Sequence, residues 1–432
     1  MKNKTEVIVV GGGPAGISAA ITVARAGKKV VLIERGSFSG SKNVFGGAIY
    51  TQPTKELFPN FEESAPLERK TVIHKYIMCT ENESVSVAYT ARKEETTNSY
   101  SVIRSKFDRW MSQEAQKEGV VLVTETLVKE LIVKENKVVG VKTELEEYFA
   151  DVVILADGVN SLLAKQIGLR KEIKPKDVAL GVKEVIKLNK EKIEERFNLK
   201  DGEGAVYEIF GEPMLGMLGL GYVYTNKETI SIGLGISLET LAKEKLKPYE
   251  LLDKIKSHPS FAPLIKDGEL VEYSAHLIPE GGYKKVPKLY FDGVIITGDS
   301  AMLVNNLHWE GTNLAMISGK LAGETAVVAL NKNDFSANTL ALYQKKMENS
   351  FVLKDLKSYK NLMDIIHHRA KSYLEYYPKK IASFFKMFTS VDSIPKRNKY
   401  WSFIKSIFTD RSISELFKDA IGFIKIIFGV LR

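Results

Sequence analysis

The chain has 432 residues, of which 44% are hydrophobic and 27% charged, so it is long enough for two or three packed units of an ordinary globular protein. Its single cysteine, Cys79, excludes a disulfide framework, a CxxC redox pair and a cysteine-ligated iron–sulfur cluster within this chain. The net charge of +9 is confined to one end, since residues 351–432 hold 16 Lys and Arg against 7 Asp and Glu, and the first 350 residues hold 46 of each.

The first segment, Val7–Ala24, is uncharged and mostly apolar, like a signal peptide or a membrane span. Gly11–Pro14 interrupts it, so a strand, a glycine turn and a helix explain the segment better. We predict a strand over Val7–Val10, a helix over Pro14–Ala26 and a second strand over Lys29–Glu34. We see no targeting signal, which favours a cytoplasmic location.

The segments that follow extend the same domain. We predict a glycine-rich loop over Ser37–Tyr50 and a helix over Ser101–Lys117. Gly119–Thr143 alternates between apolar and polar residues, which indicates a strand pair with its turn at Glu135–Asn136. Asp151–Leu155 is an apolar run of strand length and predicts a third buried strand.

Residues 170–285 have a different pattern. Alternating segments such as Gly204–Phe210 and Gly221–Ile236 recur, with a charged helix near 187–198, and they predict an antiparallel domain. The remaining predicted elements are a buried strand over Val294–Thr297, a helix over Thr312–Leu330 and a mostly helical region over 336–432.

The glycine turn carries the most specific chemical signal. In Gly11-x-Gly13-x-x-Gly16, the first glycine permits a tight turn, the second lets a pyrophosphate approach the backbone, and the third lets the helix pack on the strand. The helix N-terminus offers free N–H groups and a partial positive charge to phosphates. Glu34 ends the second strand, where a carboxylate can bind the adenosine ribose hydroxyls. The pattern predicts a dinucleotide site.

Two aspartates favour FAD over NAD as the dinucleotide. Asp157, followed by Gly158, and Asp299 each lie just beyond a buried strand, with one residue between, and ligands bind at the carboxyl ends of strands in such sheets. An aspartate there can accept a hydrogen bond from a ribityl hydroxyl. For Asp157, a capping or turn carboxylate is the alternative interpretation.

Several stretches together carry a family resemblance. They are Gly11–Gly16 with Glu34 and Arg35, Gly40–Gly47, Tyr100–Arg104 with Phe107–Trp110, Tyr224–Lys227 running into Gly233, and Gly298–Asp299 through Asn305–Asn313. Over most of residues 5–350 the chain resembles the FixC / electron-transfer-flavoprotein:quinone oxidoreductase family, within the larger class that includes geranylgeranyl reductases and aromatic hydroxylases.

The resemblance implies an FAD site and roles for particular residues. Arg104 would lie near the FAD phosphates, Val128 would meet the adenine through its backbone, and Asp299 would bind the ribityl chain. A helix that opens at Gly311–Asn313 would point its N-terminus at the flavin N1–C2=O edge, where its dipole stabilises negative charge. The candidate cofactor-binding residues are Gly11, Gly13, Pro14, Ala15, Gly16, Glu34, Arg35, Lys42, Asn43, Gly46, Gly47, Arg104, Val128, Asp157, Gly158, Asp299, Gly311, Thr312 and Asn313, with Gly46 and Gly47 against the flavin.

The resemblance also implies redox partners. An electron transfer flavoprotein would supply electrons, and the flavin would pass them towards a quinone or a ferredoxin-like partner. Single-chain members of the quinone-reductase family carry a four-cysteine iron–sulfur domain, which this chain cannot form, so we expect a separate ferredoxin-like protein of the FixX type. Electron transfer needs no side chain as an acid or base, so we name no catalytic residue, and we expect neither a metal site nor a nucleic-acid partner.

The fold class that follows is α/β, with a Rossmann-type FAD-binding domain, an inserted antiparallel β-sheet domain like that of p-hydroxybenzoate hydroxylase, and a C-terminal helical region. We expect the FAD-binding domain over 1–170 and 286–335, with 50–100 contributing to the second domain. The antiparallel domain would cover 171–285, and the basic helical region 336–432.

Other functions stay open at this point. A geranylgeranyl-reductase-like enzyme favours an aromatic-x-Trp-x-Phe-Pro pattern before its Gly-x-Gly, whereas Tyr222–Asn226 here precedes Gly233–Gly235 without the Trp or the Phe-Pro. A flavin monooxygenase would need NAD(P)H and oxygen, and a lipid-binding protein with a vestigial nucleotide site would need no flavin at all. Gly216-x-x-Gly219-x-Gly221 looks like a second nucleotide motif, but we interpret its glycines as strand and turn residues.

The end of the chain predicts an amphipathic helix. Such a helix is too short to span a bilayer comfortably. It could pack on the protein, or it could lie on the inner face of the cell membrane. The residues that share its apolar stripe are Ile413, Leu416, Phe417, Ala420, Ile421, Ile424, Ile427, Phe428 and Leu431.

Overall fold

The computed structural model describes residues 4–42, 47–93 and 98–430. Two of the predicted FAD contacts, Asn43 and Gly46, lie outside the described residues, as does Leu431. The strands are β1 Lys4–Val10, β2 Val30–Ile33, β3 Ala48–Tyr50, β4 Leu67–Cys79, β5 Ser84–Thr90, β6 Ser99–Val102, β7 Val121–Val123, β8 Val128–Lys134, β9 Lys137–Thr143, β10 Glu147–Leu155, β11 Val178–Lys187, β12 Glu203–Gly211, β13 Gly219–Thr225, β14 Thr229–Ser237, β15 Glu269–Pro279, β16 Tyr290–Phe291 and β17 Val294–Ile296.

Helices fill the intervals between the strands and most of the C-terminal region. They are α1 Pro14–Arg25, α2 Thr51–Lys55, α3 Phe61–Ser64, α4 Arg104–Lys117, α5 Leu162–Gln166, α6 Lys190–Phe197, α7 Leu238–Glu244, α8 Pro248–Ser257, α9 Ala262–Ile265, α10 Thr312–Lys332, α11 Ala337–Asn349, α12 Phe351–Ser358, α13 Leu362–His368, α14 Tyr377–Thr389, α15 Lys396–Asp410 and α16 Ile413–Val430.

The chain divides into two compact units, each built from separate stretches of sequence. The first unit contains residues 1–70, 95–181 and 274–357, and the second contains residues 71–94, 182–273 and 358–432. The domain boundaries expected from the sequence stay predictions.

The first unit is built on a sheet with the order β16–β17–β10–β1–β2–β7. The pairs from β17 to β7 are parallel, and β16, β9 and β8 extend the sheet with antiparallel pairs. Successive residues of β1 enter two different apolar clusters, because Val7 and Val9 point to one face and Ile8 and Val10 to the other. Both faces are therefore covered, which explains why the parallel strands are apolar throughout.

Helices α1 and α10 cross closely on one face of this sheet. A Cβ atom at Gly319 would overlap the backbone of Ala15, and one at Gly323 would lie 2.6 Å from the carbonyl oxygen of Ala19. Two glycines, four residues apart on α10, therefore allow two backbones to approach to a distance that side chains would prevent.

The second unit contains antiparallel strands, with the order β11–β14–β13–β12–β4 and with β5 paired to β4. Gly221 lies under helix α8, where a Cβ atom would be 2.8 Å from Ile255 Cδ1. Gly216 has a φ of +66° and forms a turn, while Gly219 lies in β13. The glycines of the second apparent nucleotide motif are strand and turn residues, as predicted.

The C-terminal helices of the second unit pack around one buried carboxylate. Asp419, on α16, is 1% exposed, and it accepts hydrogen bonds from Arg369 at 3.1 Å, Arg411 at 2.7 Å and Tyr377 at 3.2 Å. These donors come from the end of α13, the loop before α16 and the first residue of α14. Gly422, one turn along α16, is also buried.

The apolar stripe of α16 points away from this packed face. In the part of the chain that the structure describes, no helix has both the length and the apolar character needed to cross a bilayer. In the structure, most of this stripe does not pack on the chain itself. Six stripe residues expose between 37% and 74% of their surface: Ile413, Phe417, Ile421, Ile424, Ile427 and Phe428.

The predicted fold class is confirmed, including the Rossmann-type sheet, the antiparallel strands and the helical C-terminal region. The turn at Glu135 and Asn136 is confirmed too, since both have positive φ, as a two-residue hairpin of this type requires. The helix predicted to begin at Ser101 begins instead at Arg104. Ser101 belongs to β6 and is buried there, where its hydroxyl oxygen accepts a hydrogen bond from the backbone N–H of Arg69.

Candidate functional site

The glycine turn between β1 and α1 shows three different environments for its glycines. Gly11 has a φ of +104°, and a Cβ atom there would overlap the carbonyl oxygen of Ala156. A Cβ atom at Gly16 would overlap the carbonyl oxygen of Gly11. Gly13 differs, because no atom of the described residues lies within 4 Å of the position its Cβ would take. The middle glycine therefore borders open space, and the other two close the turn.

The N-terminus of α1 opens towards the same space. Gly13 is its N-cap, Pro14 is its first residue, and no described side chain caps it. Pro14 and Ala15 are buried, so the surface offered by the first turn is mainly backbone. Uncapped N–H groups with a partial positive charge bind phosphate.

Glu34, which directly follows β2, stabilises the glycine turn through its carboxylate. One carboxylate oxygen accepts a hydrogen bond from Gly12 N at 2.7 Å, and the other accepts one from Gly36 N at 2.6 Å. A carboxylate has about four acceptor positions, so both oxygens can still accept a hydroxyl. Arg35, the next residue, is exposed.

Arg104 joins the first turns of two helices. It forms a bidentate pair with Asp108, at 2.8 and 2.9 Å, and its Nη1 donates to Thr312 Oγ1 at 3.2 Å. Burial lowers the pKa of His276, and the positive charges of Arg104 and Arg35 lower it further. The three residues therefore lie in a region of positive potential, which suits an anionic ligand.

The ends of β10 and β17 are tied together by hydroxyl groups. Ser300 Oγ donates to Asp157 Oδ1 at 2.9 Å and accepts a hydrogen bond from Gly158 N at 2.9 Å. Ser161 Oγ also donates to Asp157, at 3.0 Å. Burial raises the pKa of Asp157, while these two hydroxyls oppose the rise. The capping interpretation of Asp157 therefore has direct structural support.

Asp299 has a different environment. Burial raises the pKa of its carboxyl to about 6, against the positive charges of Arg104 and Arg170. Arg170 donates to the carbonyl oxygen of Ser300 at 3.0 Å and so holds the turn that presents Asp299. The sequence analysis missed Arg170, which lies in no recognisable motif, and it gave no role to Ser300, although Ser300 directly follows Asp299.

The start of α10 completes the site. Gly311 is the N-cap and has no side-chain cap among the described residues, and Thr312 and Asn313 form the first turn. Asn313 Nδ2 donates to Glu310 Oε2 at 3.2 Å. Trp309, with a φ of +51°, lies in the preceding loop, and 42% of its surface is exposed.

The remaining predicted contacts lie near these elements or at their edges. Gly47 is buried, and its carbonyl oxygen accepts a hydrogen bond from Val102 N at 2.8 Å. Val128 begins β8 and is buried, whereas Lys42 is exposed.

The residues present fit a dinucleotide with a polar, phosphate-containing middle section. Buried polar atoms rarely lack partners, because each such atom costs about 1–3 kcal/mol. Within the described ranges, eight buried side-chain atoms of the first unit lack a hydrogen-bond partner, and four of them are Ser39 Oγ, Ser41 Oγ, Asn306 Oδ1 and Asn313 Oδ1. Together with the open space at Gly13, they indicate a site shaped for a ligand with many hydrogen-bonding groups.

Comparisons with known proteins agree with this chemistry. The profile of the FAD dependent oxidoreductases matches residues 6–166, that of the ETF-QO ubiquinone-binding domain matches 178–278, and that of the ETF-QO/FixC family C-terminal domain matches 362–427. Protein FixC of Bradyrhizobium diazoefficiens is 43% identical over 429 residues, covering 98% of this chain and 99% of its own. Protein FixC of Azotobacter vinelandii is 42% identical over 432 residues, with 98% and 99% coverage.

Solved structures with low sequence identity share the fold. A geranylgeranyl bacteriochlorophyll reductase-like protein from Thermoplasma acidophilum has a TM-score of 0.73 at 20% identity, covering 94% of this chain and 96% of its own. A flavoprotein/dehydrogenase from Cytophaga hutchinsonii has a TM-score of 0.63 at 20% identity, covering 92% and 90%.

The fold and the dinucleotide site, together with the matching profile, define an FAD-dependent oxidoreductase. The identity to curated relatives extends over nearly the whole chain and includes the region of the ubiquinone-binding domain. The chain belongs to the FixC family.

Proposed function

We propose that this protein takes electrons from an electron transfer flavoprotein and passes them towards a quinone. The observation that carries the proposal is the match of residues 178–278 to the ubiquinone-binding domain, in a chain whose residues 6–166 match FAD-dependent oxidoreductases. The flavin, when bound, accepts and gives up electrons, and the protein binds it and sets its electrostatic surroundings.

The candidate residues divide the work of holding FAD. The open space at Gly13 and the first turn of α1 would receive the pyrophosphate, and Arg104 would add positive charge. Glu34 would accept hydrogen bonds from the ribose hydroxyls, and Asp299 would accept one from a ribityl hydroxyl. The uncapped start of α10 would lie beside the flavin ring, where its partial positive charge would stabilise negative charge.

A separate ferredoxin-like protein completes the pathway in this proposal. The chain has one cysteine, Cys79, which is buried in β4, and burial raises the pKa of its thiol to about 12. A thiol that stays protonated is a poor metal ligand, because metals bind the thiolate. In this proposal, the four ligands of the iron–sulfur cluster belong to the ferredoxin-like protein.

Anaerobic stopped-flow spectroscopy tests the electron donor. The oxidised protein is mixed separately with reduced electron transfer flavoprotein and with NADPH, and a short-chain ubiquinone is added in a second mixing step. Flavin reduction by the flavoprotein but not by NADPH, followed by reoxidation by the quinone, is the expected result. Rapid reduction by NADPH alone would contradict the proposal and favour an isoprenoid reductase or, with oxygen uptake, a monooxygenase.

We also propose that the apolar stripe of α16 rests on the surface of an anionic membrane. The stripe is exposed along the helix, and Phe417 and Phe428 expose 66% and 61% of their surface. Residues 351–432 carry all the excess positive charge of the chain, which complements anionic lipid. A quinone is a membrane-soluble substrate, so a surface contact of this kind brings the protein to it.

A further inference from the structure

The second unit contains a carboxylate that the FAD site does not use. Glu208 lies in the middle of β12, directly opposite Tyr222 of β13 in the strand register. Opposed residues of an antiparallel pair point to the same face of a sheet. Tyr224, two residues along β13, shares that face, and its ring stacks on Tyr222 with centroids 4.6 Å apart. Glu208 therefore lies beside an aromatic pair.

Other titratable groups face Glu208 from the adjoining strands. On β4, burial raises the pKa of Tyr76, and the nearby negative charge of Glu208 raises it further. His74 lies two residues before Tyr76 on the same side of the strand. Beyond Tyr222, Lys183 of β11 pairs with Glu272 of β15 at 3.3 Å. No cation of the described residues forms an ion pair with Glu208, and burial is the cause of its raised pKa.

The carboxyl group of Glu208 is only partly satisfied. Its Oε2 atom is buried and has no hydrogen-bond partner within residues 4–42, 47–93 and 98–430. A buried carboxylate without a partner is costly, so such a group binds a proton or a ligand. Burial raises the pKa of this carboxyl to about 7, which keeps a transferable proton on it near neutral pH.

We propose that Glu208 is a proton donor to a quinone bound against the partly exposed ring of Tyr224, which the buried ring of Tyr222 supports from behind. The proposal rests on the proposed function, in which electrons reach a quinone. Glu208 and Tyr224 both lie within residues 178–278, and they combine one partly exposed aromatic ring with one buried, unpartnered carboxyl oxygen. A quinone head group is planar, and each of its carbonyl oxygens accepts a hydrogen bond.

The chemical step balances with the electron source already named. Reduction of a quinone to a quinol consumes two electrons, supplied by the reduced cofactor, and two protons. The O–H bond of Glu208 breaks, and a new O–H bond forms on a quinone carbonyl oxygen. Water then reprotonates the carboxylate, and the second proton comes from solvent.

The experiment compares Glu208→Gln with Glu208→Asp and with the control Glu228→Gln, an exposed glutamate in the turn between β13 and β14. Quinol formation from a short-chain ubiquinone is measured between about pH 5.5 and pH 9. In the wild-type protein, kcat should fall as the pH rises through about 7. Glu208→Gln should lower kcat roughly 100-fold at pH 6, leave KM unchanged and flatten the profile, because a positioned acid contributes about 10²–10⁴-fold.

Two further readouts separate a proton donor from a merely structural residue. Glu208→Asp keeps a titrating carboxyl, so it should restore part of the rate with a shifted profile, and Glu228→Gln should match the wild type. In an infrared titration, independent of turnover, the wild-type protein should show a protonated carboxyl band with a midpoint near pH 7 that Glu208→Gln lacks.

The outcomes distinguish this inference from the proposed function. A wild-type protein that reduces no quinone from any donor would contradict the proposed function itself. A wild-type protein that reduces quinone, with a Glu208→Gln variant that binds FAD and keeps the wild-type pH profile, would overturn the role of Glu208 alone. If the Glu208→Gln variant fails to bind FAD, the Glu208→Asp variant decides. A pH profile of kcat that is unshifted in Glu208→Asp would also overturn the role of Glu208.

Discussion

Gly13 and Gly16 lie three residues apart in one turn, yet an added methyl group would meet different surroundings at each. At Gly13 it would enter open space, and at Gly16 it would overlap the carbonyl oxygen of Gly11. We expect Gly13→Ala to change the unfolding free energy of the FAD-free protein by no more than about 1 kcal/mol, while FAD affinity falls at least about tenfold. Thermal unfolding and FAD titration measure the two effects.

Gly16→Ala is the matched control for this prediction. Its methyl group overlaps backbone, so we expect a loss of roughly 1–3 kcal/mol of unfolding free energy even without FAD. A Gly13→Ala protein that binds FAD as tightly as the wild type would show that the pyrophosphate does not lie beside Gly13.

The buried carboxyl of Glu208 makes stability depend on pH. Burial raises its pKa from the ordinary value of 4.5 to about 7, so the folded state holds the proton more tightly than the unfolded state. The contribution to stability is present below about pH 4.5 and is lost as the pH rises through about 7, by roughly 3 kcal/mol at most. Urea unfolding at several pH values should show this loss in the wild type and in Glu228→Gln, but not in Glu208→Gln.

At the scale of the element, α16 packs in the reverse of the usual arrangement. Its buried face carries Asp419 and Gly422, and its apolar stripe is exposed. A polar face can be buried only where its groups are paired, and the two arginines and the tyrosine around Asp419 meet that condition. The ionic cluster, rather than apolar contact, therefore decides which side of the helix faces inward.

We expect Asp419→Ala to loosen the C-terminal helices. The change leaves Arg369 and Arg411 without their buried partner and should cost about 3 kcal/mol locally. Hydrogen exchange of residues 362–430 should accelerate, while bound FAD is retained. Glu415→Ala, on the same helix but 39% exposed, should cost less than about 1 kcal/mol, and equal effects of the two variants would contradict this account.

At the scale of the whole molecule, charge and exposed apolar surface coincide near one end of the sequence. We expect the triple variant Phe417→Ser, Ile424→Ser, Phe428→Ser to bind vesicles containing anionic lipid at least about tenfold more weakly than the wild type, since each side chain removes roughly 1.5–3 kcal/mol of apolar burial. Sedimentation with vesicles measures the binding, and added salt should weaken it.

Leu145→Ser is the control for the vesicle experiment, because Leu145 is 89% exposed and lies far from the C-terminal region in sequence. Unchanged binding in the triple variant would contradict a lipid contact. If the triple variant keeps its vesicle binding but loses a protein that copurifies with the wild type, the stripe is a protein interface.

The sequence specified the local parts of the site well. The strand, glycine turn and helix around Gly13 depend on residues close together in the chain, and their spacing predicts them directly. Glu34 was found in the same way. The start of α4 was misplaced, because Ser101 is drawn into β6 by pairing with Ala48 of β3, a residue far away in sequence.

Only the tertiary structure decided which distant groups meet. The bond from Arg104 to Thr312 joins residues 208 positions apart, and the bond from Ser300 to Asp157 joins residues 143 positions apart. The sequence by itself determined the fold class and the chemistry of its dinucleotide turn through short-range spacing and apolar pattern. The structure alone decided the pairing of buried polar groups and the outward face of α16, because burial is a property of the packed chain and not of any one segment.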